Sequence, residues 1–212
     1  MSKKKAEKIN ILALGNSSVG KTSFILRFTE DTFRDIYLTT IGMDYREKYL
    51  KFPNNKEYCI NFYDTAGQEK YRSLAFNIIK NADGALLMYD LTKRNTFEAI
   101  SSWMDDIKKH KGEDFHIVLV GNKSDIEKRE VTKEEGEELA KKYNISFFET
   151  SNKTGQNVEE SSMELINKII EKFERDKLLG KEDDNYNIKL NKKTSKKKHN
   201  NHCFQKMNCK TN

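Results

Sequence analysis

The stretch Gly15-Asn16-Ser17-Ser18-Val19-Gly20-Lys21-Thr22 has the spacing G-x-x-x-x-G-K-[ST], and each fixed position has a physical task. Successive backbone N–H groups of such a loop wrap phosphate oxygens, and the helix that follows turns its positive end toward them. The Lys21 ammonium would reach the β- and γ-phosphate oxygens, and the Thr22 hydroxyl would ligate magnesium. The flanks suit this role. Ile9 to Leu14 reads as a buried strand ending at Gly15, and a helix begins near Gly20 with Phe24, Ile25 and Phe28 on its inner face. Residues Gly15 to Thr22, together with Ser23, form the candidate phosphate-binding set.

Outward from this loop, short apolar runs alternate with helical periodicity, the pattern of βαβ units and a mainly parallel sheet. Tyr45 to Phe52 and Tyr58 to Tyr63 read as paired strands joined at Pro53-Asn54-Asn55, which holds the only proline of the chain. Ala85 to Tyr89 and Ile117 to Val120 are short, wholly apolar strands, and Ile145 to Phe148 is the last. Helical spacing marks Phe97 to His110, Lys133 to Tyr143, and a final helix with Val158, Leu165, Ile166, Ile169, Ile170 and Phe173 on one stripe. The fold expected is therefore α/β, a six-stranded mainly parallel sheet with helices on both faces. A short extension (1–8) precedes one domain (9–176), and a tail (177–212) follows. The tail lacks the apolar surface to offset its ordering entropy and is expected to be disordered.

Three further clusters sit at strand ends. Asp64-Thr65-Ala66-Gly67-Gln68-Glu69 follows the strand ending at Tyr63. Asp64 can hold magnesium there, the Gly67 amide can reach a γ-phosphate, and Gln68 suits the orientation of an attacking water. Asn122-Lys123-Ser124-Asp125 follows the strand that ends at Val120-Gly121. A carboxylate at Asp125 accepts both N1–H and the exocyclic amine of guanine, and a buried carboxylate left unpaired by adenine rejects that base. Thr150-Ser151-Asn152-Lys153 supplies a second base-side loop, where the Asn152 amide would donate to guanine O6 and Lys153 would pack over the base.

In this order and spacing the clusters resemble the Ras superfamily of small GTPases, most closely its Rab branch, over residues 9 to 175. The resemblance implies the phosphate-loop GTPase fold, GTP/GDP as ligand and Mg2+ as cofactor. It places Thr40, within Thr39-Thr40-Ile41-Gly42, beside Thr22 on magnesium in the GTP state, and packs Phe33 edge-on against the base. Lys21, Gln68 and Thr40 would carry hydrolysis. Residues 32–42 and 64–80 would be two switch segments, ordered by γ-phosphate and released on hydrolysis, and residues 32–45 and 64–80 would meet an exchange factor, a GTPase-activating protein and effectors. The Rab features are Ile41-Gly42-Met43-Asp44-Tyr45, Lys70-Tyr71-Arg72-Ser73-Leu74, Leu87-Met88-Tyr89-Asp90-Leu91-Thr92 and Asn157-Val158-Glu159-Glu160. Departures occur where Rabs carry Phe, Trp and Tyr, here Tyr45, Tyr63 and Ile78, and where Ile78-Ile79-Lys80-Asn81 replaces a Tyr-Tyr-Arg-Gly run. No arginine precedes Thr40 to assist in cis, so turnover without a partner is expected on the order of 10⁻⁴ to 10⁻³ s⁻¹. The competing readings are a GTP/GDP-binding module with negligible turnover and a soluble, non-prenylated Ras-like GTPase.

The net charge of +6 is not spread over the chain. From Lys177 onward ten lysines face Glu182, Asp183 and Asp184, a surplus of seven, which leaves about −1 for the first 176 residues. A basic tail on a near-neutral domain favours an anionic membrane or a receptor-read signal over a nucleic-acid-binding surface. Cys203 and Cys209 are candidate prenylation sites, Cys209 standing fourth from the end of this sequence as in a C-a-a-X box with atypical residues after it. One lipid anchors weakly, and Lys192, Lys193, Lys196, Lys197 and Lys198 would add a second signal. Three cysteines fit a reducing compartment and not a disulfide framework, and Cys59 reads as a small core hydrophobe. No apolar run is long enough for a membrane span. The expectation is a monomer in the cytoplasm that cycles to the cytosolic face of an intracellular membrane.

Overall fold

The computed structural model of the chain describes residues 6–33, 43–53, 56–65, 79–112 and 115–180. In chain order the elements are β1 (Glu7–Leu14), α1 (Lys21–Glu30), β2 (Met43–Lys51), β3 (Glu57–Thr65), β4 (Gly84–Asp90), α2 (Arg94–Lys111), β5 (His116–Asn122), α3 (Lys133–Tyr143), β6 (Ser146–Thr150) and α4 (Val158–Leu178). Six strands form one sheet in the order β2-β3-β1-β4-β5-β6. Only the β2–β3 pair is antiparallel; the other pairs run parallel. The chain divides into Met1–Ile170 and Glu171–Asn212, the boundary falling within α4.

Burial explains the two kinds of strand. All seven residues of β4, Gly-Ala-Leu-Leu-Met-Tyr-Asp, are buried, as a central parallel strand covered on both faces requires. Leu12, Leu14, Ala85, Leu87, Tyr89 and Leu119 point to one face, where Ile100, Trp103, Met104 and Ile107 of α2 and Ala140 of α3 cover them. The opposite face meets α1 through Phe28 and Phe62, whose rings lie 5.2 Å apart at 62°. It meets α4 at Gly84, where an added Cβ would stand 2.8 Å from Ile169 Cδ1 and 3.0 Å from Leu165 Cδ1. Helices thus lie on both faces, as expected.

Element ends differ from the sequence expectation where long-range partners act. Helix α2 begins at Arg94 instead of Phe97. Its N-cap, Lys93, makes no side-chain cap bond, but Glu130 Oε2 accepts from Arg94 N–H at 2.7 Å. A carboxylate 36 residues away therefore caps the first turn. By contrast α3 starts at its expected residue because its cap is local: Thr132 and Glu135 form a reciprocal capping box, legible as T-x-x-E. Strand β1 starts two residues early, since Glu7 and Lys8 pair with Tyr58 and Cys59 of β3. Buried Cys59 is a free thiol.

Candidate nucleotide site

In this strand order β1 leads to a neighbour on each side, β3 and β4, so its C-terminal end is the topological switch point where α/β sheets bind ligands. The loop Gly15–Gly20 occupies that end. At Gly15, φ is +135° and an added Cβ would lie 2.1 Å from the Met88 carbonyl oxygen; the loop backbone passes against β4 as only glycine allows. At Gly20, φ is +100° and a Cβ would strike Asn122 Nδ2 at 2.3 Å and Asn152 Nδ2 at 2.8 Å. Helix α1 then begins with no side-chain cap and no acidic residue in its first turn. Its first N–H groups have no intrahelical acceptor and its positive end meets no carboxylate of its own, which suits an anion.

Lys21 is only 5% exposed. Its Nζ donates to the carbonyls of Gly15 at 3.0 Å and Asn16 at 2.8 Å. Burial pushes its pKa down to about 8, against the opposing pull of the Asp64 carboxylate. A cation held in so dry a place, with one of its three N–H bonds still to give, awaits a negative partner. Beside it the Thr22 hydroxyl donates to Asp64 Oδ2 at 2.5 Å, joining residues from α1 and β3.

The loops after β5 and β6 are tied to this phosphate loop by side chains. Asn122, 1% exposed, donates from Nδ2 to the Val19 carbonyl at 2.8 Å and accepts from the Thr150 hydroxyl at 3.2 Å. It thereby links β5, β6 and the phosphate loop. Asn152 Nδ2 donates to the Gly20 carbonyl at 2.9 Å. Ser151 Oγ donates to Asp125 Oδ1 at 2.6 Å, and Ser124 N–H to the Thr150 carbonyl at 3.0 Å. Lys123 adopts φ +72°, a conformation costing a non-glycine residue about 1–3 kcal/mol. Its Nζ meets Asp90 Oδ2 at 2.6 Å, with Asp90 wholly buried.

Asp125 is exposed, in contrast to the buried carboxylate expected from the sequence. It stands three residues beyond the end of β5, with one carboxylate oxygen held by the Ser151 hydroxyl. Lys153 is exposed and Phe33 half-buried. Thr40, Gly67 and Gln68 lie outside the described residues, as do most of both expected switch segments, Cys203 and Cys209.

Three contributors escaped the sequence reading. Asp90 holds Lys123; its signal was an aspartate at a buried strand end, the feature that marked Asp64. Trp103 of α2 donates from Nε1 to Asn16 Oδ1 at 3.0 Å, and Arg27 of α1 donates to the Asn152 and Lys153 carbonyls. Nothing local in the sequence marks these two.

The donor chemistry fits magnesium shared with phosphates. Among the described residues no three His, Cys, Asp or Glu side chains converge on one point. The site offers instead one hydroxyl and one carboxylate, both hard oxygen donors, beside a phosphate cradle, as magnesium usually requires.

Fold and site together define a phosphate-loop nucleotide-binding protein in which the loops after β5 and β6 are braced directly to the phosphate loop. Residues 10–171 match the Ras family, and the chain belongs to it. It is similar to Ras-related protein Rab-27B from Bos taurus, 40% identical with 79% of this chain and 82% of that protein covered. It is likewise similar to Ras-related protein SEC4 from Saccharomyces cerevisiae, 40% identical with 81% and 80% covered. The Rattus norvegicus Rab-27B is 41% identical over 178 residues. The chain is thus a Rab-like small GTPase that binds guanine nucleotide and hydrolyses GTP.

Proposed function

We propose that this chain is a Rab-type switch in vesicle-mediated transport, whose site residues act as follows. The loop Gly15–Thr22, with Ser23, cradles the nucleotide phosphates, and Lys21 neutralises the β- and γ-oxygens. Asp125 accepts from guanine N1–H and its amine, Asn152 N–H donates to O6, and Lys123 and Lys153 flank the base with Phe33. Thr22, Thr40 and Asp64 would hold magnesium, which supplies charge neutralisation on the phosphates when bound. Gln68 orients a water whose oxygen attacks the γ-phosphorus as the bond to the β–γ bridging oxygen breaks, giving GDP and phosphate. Gly67 N–H and Thr40 sense the γ-phosphate. The observation that carries this reading is the dry Lys21 ammonium, held by two loop carbonyls with a donor to spare.

Purified protein loaded with GTP should turn over on the order of 10⁻⁴ to 10⁻³ s⁻¹ in a single-turnover assay and accelerate with a partner arginine. Gln68→Leu should abolish the measurable rate while leaving GTP bound. Equal rates in wild type and Gln68→Leu would mark a binding module without turnover. Residues 32–45 and 64–80 form the face for exchange factor, activating protein and effectors, and the protein works as a monomer.

The domain spans 9–176, and the tail 177–212 brings it to the cytosolic face of a membrane. Cys203 or Cys209 carries a prenyl group, with each tail lysine near an anionic surface adding about 1 kcal/mol. Among the described residues no helix is long and apolar enough to cross a membrane. Intact-mass measurement of protein from its native cells tests the lipid: an unshifted mass would leave a Ras-like GTPase without the anchor.

A further inference from the structure

We propose that Arg27 is the positioning residue that holds the base-side loop against the phosphate-loop helix, and that this clamp sets how long guanine nucleotide stays bound. Arg27 stands six residues after Lys21 on α1. Its Nε donates to the Asn152 carbonyl at 2.9 Å and its Nη2 to the Lys153 carbonyl at 2.6 Å. The planar guanidinium presents its N–H groups as a fixed fork, which matches two consecutive carbonyls as a lysine ammonium does not. The side chain is 18% exposed, so these charge-assisted bonds are shielded from solvent in part.

The loop cannot satisfy those two carbonyls from within. Its internal bonds run from Ser151 N–H to the Gln156 carbonyl, from Gly155 N–H to the Ser151 carbonyl, and from Thr154 N–H to Ser151 Oγ. These close the loop on Ser151, the Gln156 N–H turns to Thr154 Oγ1, and none of these bonds engages the Asn152 or Lys153 carbonyl, which Arg27 takes instead. The second tie, from Asn152 Nδ2 to the Gly20 carbonyl, reaches the other end of the same helical stretch. Residues Gly20 to Arg27 therefore act as one rod, gripping phosphate at its start and the base loop two turns later. Without Arg27 the base loop keeps its internal turn but loses its register against the rod. A guanine held by Asp125 and the Asn152 amide then leaves more easily, while the groups around the γ-phosphate stay in place. The remaining Arg27 donor, Nη1, meets Asp31 Oδ1 at 2.9 Å, but Asp31 is 92% exposed, so that pair contributes little.

This inference rests on the proposed placement of guanine against Ser151–Lys153. It is tested on the full chain with magnesium, by following release of a fluorescent GDP and, separately, single-turnover hydrolysis of preloaded GTP. Arg27→Ala should speed release roughly 10- to 100-fold, the equivalent of losing hydrogen bonds to a charged group, and move hydrolysis less than about threefold. Arg27→Lys should remain at least about fivefold faster in release than wild type, since it keeps charge but not the fork. Asp31→Ala should stay within about twofold.

The clamp is overturned if folded Arg27→Ala releases GDP within twofold of wild type, if Arg27→Lys restores the wild-type rate, or if Asp31→Ala matches Arg27→Ala. Parallel loss of release control and hydrolysis would also overturn it, as the mark of general loosening. Should Arg27→Ala fail to fold, Arg27→Lys and Arg27→Gln carry the same comparison. Wild type that holds GDP no better than ADP removes the base-site reading and this inference together. Wild type that discriminates, with unchanged Arg27 variants, removes the inference alone.

Discussion

The two ends of this sheet are built to opposite standards. At the C-terminal end of β1, β4 and β5 the loops are bound to one another by side chains from distant segments: Asn122 to Val19, Asn152 to Gly20, Trp103 to Asn16, Ser151 to Asp125. At the β2 edge, burial falls away and alternation takes over, with Tyr45 at 42% and Tyr49 at 59% exposure. Salt bridges there, such as Arg46 with Asp44 and Glu30, lie at the surface and contribute little each. Among the described residues these loops are joined by buried and half-buried polar bonds. At the β2 edge the aromatic rings meet each other, Tyr45 and Tyr63 lying 5.5 Å apart, while Tyr45 stays partly open to solvent.

The strongest way to break the braced end is Gly15→Ala. The new methyl meets the Met88 carbonyl at 2.1 Å, so the loop must leave β4. Denaturant unfolding should show a loss of about 3 kcal/mol or more, with GDP affinity reduced at least about a hundredfold, since the loop amides no longer converge. Asn122→Ala comes next. It strands the Val19 carbonyl and the Thr150 hydroxyl in the interior, at about 2–4 kcal/mol by the same unfolding measurement. Asp125→Asn separates binding from stability at this end. Because Asp125 is exposed, its stability should change by less than about 0.5 kcal/mol while calorimetry shows GDP affinity falling.

Lys21 gives the braced end a pH signature. With its pKa lowered to about 8 by burial, the empty protein binds fewer protons than the unfolded chain between about pH 8 and 10.5. Its stability should therefore rise through that window. Nucleotide phosphates pull the same pKa back up, so GDP affinity should be flat below about pH 8 and fall up to about tenfold per pH unit above it. Proton uptake on binding, read by calorimetry at pH 8.5 in buffers of different ionisation enthalpy, measures this directly. The smallest effect belongs to the exposed edge: Tyr49→Ser should leave nucleotide release unchanged and shift stability by less than about 0.5 kcal/mol.

Local rules located most elements. Helical spacing marked α3, and the apolar runs marked β4 and β5, because periodicity and burial there depend on neighbours in sequence or on composition alone. They missed the start of α2, since its capping carboxylate, Glu130, arrives from 36 residues downstream. The same distance effect runs through the site. The place of Asp125 after β5 was legible in the sequence, but its exposure was not, and neither was the buried Asp90 that holds Lys123.

By itself the sequence determined the class of this protein. Gly15, Gly20, Lys21 and Thr22 at fixed spacing, with Asp64, Asn122, Asp125 and Ser151 at strand ends, are the pattern of a Ras-family guanine-nucleotide switch. Backbone conformation and side-chain chemistry act over a few residues, so spacing alone encodes them. Only the tertiary structure decided how the loops are joined. Arg27 lies 125 residues from Asn152 in the chain and 2.9 Å from its carbonyl in the fold. A hydrogen bond acts over about 3 Å, and no periodicity in a sequence records which helix face will be brought within that reach.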